Sequence, residues 1–332
     1  ARWAYDPVAG KMANGEWVLK VAARGGTRLA ITGYMQNSLK TMDLKKPVYD
    51  GEGTEYSIVE IADSAFNETA AFDLVKRGKA GDKGATAGNP VLVKWPTTLE
   101  KIGFKAFCHA TYMLVDEFLP ESVTNIGDYA FYSCVSITND LRLGFAGKDV
   151  KLGGYAFSSK VDEFGQMKIP TIRLGPGVKV IPEVCFNQNG AREIELPETI
   201  EIIGREAFSC TQDAWIHPTF PASLTNIGSQ AFYDCRGITN DIVLGTAGKH
   251  VSVGWGAFMT VTQSAGPMRY KSVTFGEGVT ELLKQVCYYA DQMTNMTFTT
   301  AVTAIGEQAF TYCHLPAGSV FDIGTNTTIA SS

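Results

Sequence analysis

Leu119-Pro120-Glu121-Ser122-Val123-Thr124-Asn125-Ile126-Gly127-Asp128-Tyr129-Ala130-Phe131-Tyr132-Ser133-Cys134 recurs in variant form along most of the chain and sets its architecture. Proline has no N–H to give to a ladder, so an apolar residue followed by proline marks the end of a strand. Ile126, Ala130 and Cys134 then fall four apart, with Phe131 beside them. That spacing predicts one face of a short helix of about two turns, with Gly127 at its start. So short a segment cannot bury its own apolar side, and it must belong to a stack of similar segments.

The rest of the chain supplies the stack. The Ala-Phe pair recurs at Phe66, Phe107, Phe131, Phe157, Phe208, Phe232, Phe258 and Phe310, while Cys185-Phe186 and Cys287-Tyr288 take the same place in two degenerate units. From Phe107 onward these anchors are 24, 26, 29, 22, 24, 26, 30 and 22 residues apart. A period in the twenties predicts a leucine-rich repeat solenoid of about ten units. The spacings also repeat in blocks of four. Pro120 to Gly127 matches Pro221 to Gly228, Thr138-Asn139-Asp140 matches Thr239-Asn240-Asp241, and Ala146-Gly147-Lys148 matches Ala247-Gly248-Lys249. A block near 107–207 has therefore been duplicated near 208–309.

Upstream of each anchor lies a short alternating run. In Glu193-Ile194-Glu195-Leu196-Pro197 the two aliphatic residues share one side and the two glutamates the other, the period of a strand with one buried face. Val93-Lys94-Trp95 and Ile172-Arg173-Leu174 repeat the pattern. The expected architecture is a right-handed β/α superhelix, with short parallel strands on one face and short helices or turns on the other. Residues 1–60 read differently, as hairpin-like strands around Arg24-Gly25-Gly26 and Asp50-Gly51-Glu52-Gly53. They predict a small N-terminal β cap, which shields the end of a solenoid spanning 61–315. Residues 316–332 are left as a C-terminal tail or partial cap. The basic, glycine-rich run from Lys76 to Gly84 interrupts the period and predicts an exposed, mobile loop.

Composition narrows the function. A net charge of -5 without a dominant Lys/Arg run argues against nucleic acid as a partner. No apolar stretch approaches the roughly 18–20 residues of a membrane span. The seven cysteines include no CxxC pair and no zinc-finger spacing to histidine. Cys134, Cys235 and Cys313 follow the anchor by three residues, and repeat position explains them as small buried hydrophobes. Cys108-His109 and Cys313-His314 lack a third ligand, so no metal, catalytic residue or cofactor is expected. Gly144-Phe145-Ala146-Gly147-Lys148 and Gly245-Thr246-Ala247-Gly248-Lys249 lack the spacer and Ser/Thr of a phosphate loop and read as structural turns.

The motif Leu-Pro-x-x-Val-Thr-x-Ile-Gly-x-x-Ala-Phe-x-x-Cys resembles the consensus of BspA-like, or Treponema pallidum-type, leucine-rich repeat surface proteins, over about 61–315. The units at Phe157, Phe186, Phe258 and Tyr288 depart from it by lacking the Ile-Gly pair. The resemblance implies an exported chain, its signal peptide removed, displayed on the surface of a gut bacterium. It implies adhesion to host matrix or bacterial surface proteins and brings no catalytic residues. Two alternatives stand beside it: a carbohydrate-binding surface component of a glycan-using bacterium, and a structural spacer in a larger surface protein. The candidate partner-binding residues are the outward strand positions Lys94, Phe118, Arg173, Glu193 and Glu195 and the aromatics Tyr132, Tyr233, Trp215 and Trp255.

Overall fold

The computed structural model describes residues 2–36, 41–67, 85–86, 88–159, 165–211, 214–217, 220–246, 248–260, 268–315 and 327–330, the side chains of Gln36 and His217 excepted. The Lys76–Gly84 run and most of 316–332 lie outside them. The chain divides into two compact units, Ala1–Ile169 and Pro170–Ser332.

The first unit begins with a closed ring of strands. Glu55–Ile61, Arg28–Gln36, Val18–Ala23, Lys11–Ala13, Trp3–Asp6 and Val48–Tyr49 pair in that order, and the last pairs back to the first. Closure leaves the ring no free edge. Trp3, Met12, Trp17, Leu19, Leu29 and Ile31 fill its inside, all 0% exposed. Glu60 leaves the ring and meets Arg24 at 2.5 Å and Lys101 at 2.8 Å. Burial alone would raise its carboxyl, but these two cations hold it below the ordinary value.

From Glu55–Ile61 the sheet continues in parallel through Lys101–Ile102, Asn125–Ile126 and Lys151–Leu152, with Ile61, Ile102, Ile126 and Leu152 in register. A described repeat thus carries two strands, this two-residue one and another of two to four residues in front. The front strands Met42–Asp43, Val91–Lys94 and Met113–Val115 form their own parallel sheet. The second unit is built alike. Its front sheet joins Thr171–Leu174, Glu193–Glu195 and Trp215–His217, and its short strands run Val180–Ile181, Ile202–Ile203, Asn226–Ile227 and Ser252–Val253. A further front sheet joins Ile242–Leu244, Ser272–Phe275 and Asn295–Phe298, and Thr328–Ile329 pairs with Ala304–Ile305.

The expected helix is absent: among the described residues the anchor segments are runs of turns, and Ile126 sits in a strand. The hydrogen bonds explain why. Tyr129, Phe131 and Ser133 donate their N–H groups to the next coil, to Gly154, Ala156 and Ser158, at 2.9–3.0 Å. The residues between them, Ala130, Tyr132 and Cys134, donate locally to the carbonyl three residues back, at 3.1–3.2 Å. A helix would bond its N–H groups to its own carbonyls four residues back and free only those of its first turn, so it could not offer every second one to the neighbour. The second unit repeats the alternation, with Glu206, Phe208 and Cys210 reaching Ser229, Ala231 and Tyr233 at 2.7–3.0 Å. The cost is a left-handed residue on each side of the anchor, for example Tyr129 (φ 57°) and Ser133 (φ 56°). Each such residue costs about 1–2 kcal/mol, and the ladder bonds at those same residues offset it.

The left-handed pairs also fix the register. They flank the anchor by two residues on either side, as Glu206 and Cys210 do Phe208. In the degenerate unit they are Gln285 and Tyr289, so Cys287 occupies the phenylalanine slot and Val286 the alanine slot. Cys287 donates its N–H to Ala309, as Phe208 does to Ala231. The sequence alignment had placed this unit one residue late. Corrected, its spacings become 29 and 23 residues, and the first equals its counterpart in the other block.

The phenylalanines stack face to face. Phe66, Phe107, Phe131 and Phe157 lie 5.1–5.7 Å apart and within 8° of parallel. Phe186, Phe208, Phe232 and Phe258 stack at 5.3–5.5 Å and within 12° of parallel in the second unit. Where Cys287 ends the column, Tyr270 lies fully buried, edge-on to Phe258 at 6.4 Å, and donates its hydroxyl to the Phe258 carbonyl. Tyr270 thus adds ring volume beside a slot where cysteine stands for phenylalanine.

The glycine before each turn marks the closest approach of the coils. A Cβ on Gly228 would lie 2.4 Å from the Arg205 nitrogen, and one on Gly153 would lie 2.2 Å from that of Asp128. Two of the units expected to lack Ile-Gly keep this glycine, after Leu152 and Val253. In the other two Pro182 and Leu283 take its place. Gly228→Ala should cost about 1–3 kcal/mol as overpacking and lower the urea midpoint, whereas Gly51→Ala, which meets nothing within 4 Å, should leave it unchanged. Equal midpoints for the two variants would show that the coils do not touch there.

Candidate interaction surfaces

The front sheet of the second unit gathers four of the candidate residues. Register aligns Thr171, Glu193 and Trp215 in one row and Arg173, Glu195 and His217 in the next, with Ile172, Ile194 and Ile216 buried between. Arg173 meets Glu195 at 2.8 Å, both about one-third exposed. Trp215, 37% exposed, stands in the row of Glu193. Lys94 belongs to the front sheet of the first unit and is half-buried.

Phe118 corrects the sequence reading. It is 2% exposed and lies edge-on to Phe131 at 5.6 Å and Phe157 at 5.5 Å. The strand ends at Val115, and Asp116-Glu117 gives the chain the slack to fold Phe118 onto the phenylalanine column. It is a core residue and cannot meet a partner. Thr219, aligned with it by sequence, lies outside the described residues. Phe220 takes the inward role in the second unit, edge-on to Phe232 and Phe258 at 5.2 and 5.6 Å.

The remaining candidates lie on the turn side. Trp255 is 40% exposed, beside Gly254, and so belongs to a different side of the coil from Trp215. Tyr233 is half-buried. Tyr132 joins a cluster that the sequence reading missed. Tyr129 and Tyr155, at one repeat position in successive coils, stack at 4.5 Å and 7°. Tyr132 lies edge-on to Tyr129 at 5.6 Å and to His109 at 5.3 Å. Phe104, 42% exposed, lies edge-on to Tyr129 at 6.4 Å, and the Lys105 ammonium sits 5.0 Å from the Phe104 ring and 5.4 Å from that of Tyr129. Burial, followed by Tyr155 and Tyr132, pushes the Tyr129 phenol up. The signal was present as aromatics recurring two and three residues before the anchor, at Phe104, Tyr129 and Tyr155. A smaller group holds Tyr288, Tyr289 and Tyr312, with Tyr312 55% exposed.

All seven cysteines are free thiols, and Cys108, Cys134, Cys185, Cys235 and Cys287 are buried. Cys134 and Cys235 donate to the anchor carbonyls of the preceding coil, Phe107 and Phe208, at 3.1 and 2.9 Å. Burial pushes Cys134 and Cys287 up and carries Cys235 up to about 12. Among the described residues no three His, Cys, Asp or Glu side chains form a metal-binding group, and no helix is long and apolar enough to cross a membrane.

Stacked coils with two parallel strands and a turn ladder define a leucine-rich repeat protein. A family model described as BspA type Leucine rich repeat region (6 copies) matches residues 91–164, 153–258 and 179–316, and the chain belongs to that family. The fold is similar to that of a leucine-rich repeat protein from Bacteroides ovatus, at 19% identity and a TM-score of 0.53, over 91% of this chain and 80% of that one. Two other similar structures are a leucine rich cell surface protein of Faecalibacterium prausnitzii (18% identity, TM-score 0.42, 96% and 93% of the two chains) and the pneumococcal vaccine antigen PcpA (14%, 0.45, 97% and 93%). No curated protein matches the chain.

The raised thiols give a prediction. A thiol raised by burial is favoured in its protonated form, and the unfolded chain ionises from about 8.5 upward. The stability held by Cys235 is therefore complete below that pH and is lost as pH rises from there toward about 12. At pH 8 a thiol reagent should modify the half-buried Cys210 and Cys313 well before Cys134, Cys185, Cys235 and Cys287, and all seven should react in urea. Equal native rates at all seven sites would contradict the buried ladder.

Proposed function

We propose that this chain is a non-enzymatic, surface-displayed scaffold that binds a protein partner, in host matrix or on another bacterial cell. The aromatic ridge Phe104, Tyr129, Tyr132 and Tyr155 with Lys105 carries this reading. Tyrosine and other aromatic residues are enriched among the anchors of protein interfaces. The ridge also favours protein over glycan. Sugar stacking needs an open ring face, but Tyr155 covers one face of Tyr129 and Lys105 sits over the ring. Ring edges, hydroxyls and an ammonium are among the groups the ridge offers, and these suit peptide groups. Membership of the family supports display on a cell. In this reading residues 1–60 cap the first coil and 61–315 form the binding array.

The immobilised chain, probed with host matrix extracts, bacterial surface extracts and a glycan array, should bind protein saturably. Phe104→Ala with Tyr132→Ala should weaken that binding at least fivefold while leaving the thermal midpoint within a few degrees. Binding confined to the glycan array, or unaffected by the double variant, would overturn the role given to the ridge.

A further inference from the structure

The duplicated blocks act as internal controls for each other, and they differ at one place that opens a crevice. In the second unit the front strand Trp215–His217 ends one sheet and Ile242–Leu244 begins another. A cavity of about 380 Å3 lies at this break, lined by Phe220, Leu224, Leu244 and Val251, with Glu198 and Lys249 exposed among its lining residues. Its size falls at the small end of the roughly 300–1,000 Å3 typical of ligand clefts.

Each wall is held from its far side. Gly276 and Gly278 donate to the carbonyls of Leu244 and Gly245, and Val251 donates to Gly278, at 2.7–2.9 Å. On the other wall Ser223 donates to the Ile200 carbonyl and Thr225 to that of Glu201. A Cβ on Gly278 would fall 1.8 Å from the Lys249 carbonyl, so the lip at 245–251 has no room to shift that way.

The copy in the first unit shows what belongs in such a gap. There Glu121 stands for Ala222, Arg142 for Val243 and Phe145 for Thr246. Arg142 reaches Glu121 at 3.1 Å and lies over the Phe145 ring at 3.6 Å, so a cation on an aromatic ring spans the corresponding walls. In the second unit all three side chains are cut back to small ones. Meanwhile the coil that precedes the second block carries a carboxylate, Glu198, where the coil that precedes the first carries Thr97.

We propose that the crevice between Phe220 and Gly245 accepts an aromatic side chain, with a neighbouring cation facing Glu198, from an extended segment of a protein partner. The partner supplies what Phe145 and Arg142 supply in the sister block. The inference rests on the protein-binding reading above but uses a site independent of the ridge. The floor selects a peptide side chain over a sugar: Leu224, Leu244 and Val251 offer no hydrogen bonds to hydroxyls, and Phe220, 7% exposed, offers no open face.

The test uses the full chain and a phage-displayed random heptapeptide library, with methyl glucoside and methyl galactoside as competitors. Enriched peptides should carry Phe, Tyr or Trp next to Arg or Lys. Their affinity should fall at least tenfold when Ala222→Glu, Val243→Arg and Thr246→Phe rebuild the first-block plug, and also when the peptide aromatic becomes Ala. The plugged variant should keep its circular dichroism and thermal midpoint; Thr246→Phe alone serves if the triple variant fails to fold. Peptides without aromatics, peptides bound equally by the plugged variant, or a crevice that takes the glycosides alone would each overturn the proposal. Partner proteins held undiminished by the plugged variant sink this site and leave the broader reading standing, whereas a chain that binds no protein at all sinks both.

Discussion

Where a glycine follows the short strand, neighbouring coils approach so closely that a side chain has no place there. At Gly127, Gly153, Gly228 and Gly254 a Cβ would lie within 2.5 Å of the backbone of the preceding coil. That contact sets the spacing at which alternate N–H groups of the turn find the next coil. It also brings the phenylalanines to 5.1–5.7 Å, where parallel rings can stack. Backbone ladder, ring column and short strands are three expressions of one distance, near the 4.8 Å of paired strands.

The same distance explains which residues are exposed. A segment that donates alternately inward and to its neighbour exposes the residues before the anchor. Phe104, Tyr129 and Tyr155 therefore stand outward on the turn side while Ala106, Ala130 and Ala156 are fully buried. Aromatic contacts run along both surfaces of the turn, one column inside and one ridge outside. The buried column stabilises the stack, and the ridge stays at the surface.

Duplication adds a second kind of information. Because the two blocks share their spacings, a difference between matched positions is a difference of surface or filling rather than of fold. Arg142 on Phe145 against Val243 and Thr246 is such a difference, and it changes a spanned gap into a cavity. Cys287 against Phe186 is another, on the inside.

Much of this was legible from residue order. The recurring Ala-Phe pair, its spacing in the twenties and the alternation in Glu193-Ile194-Glu195 determine a parallel-stranded repeat array, because no single unit can bury its own apolar side. The fourfold spacing of Ile126, Ala130 and Cys134 was misleading: it also suits a turn ladder, and only the stacked neighbour, claiming every second N–H, decides between ladder and helix. The slot of Cys287 and the burial of Phe118 were likewise hidden. Both depend on local slack and left-handed residues that leave no mark in composition. The ridge of Tyr129 and Tyr155 and the crevice beside Phe220 arise only when residues some twenty to fifty positions apart are brought side by side, which is the work of the stack and not of any one repeat.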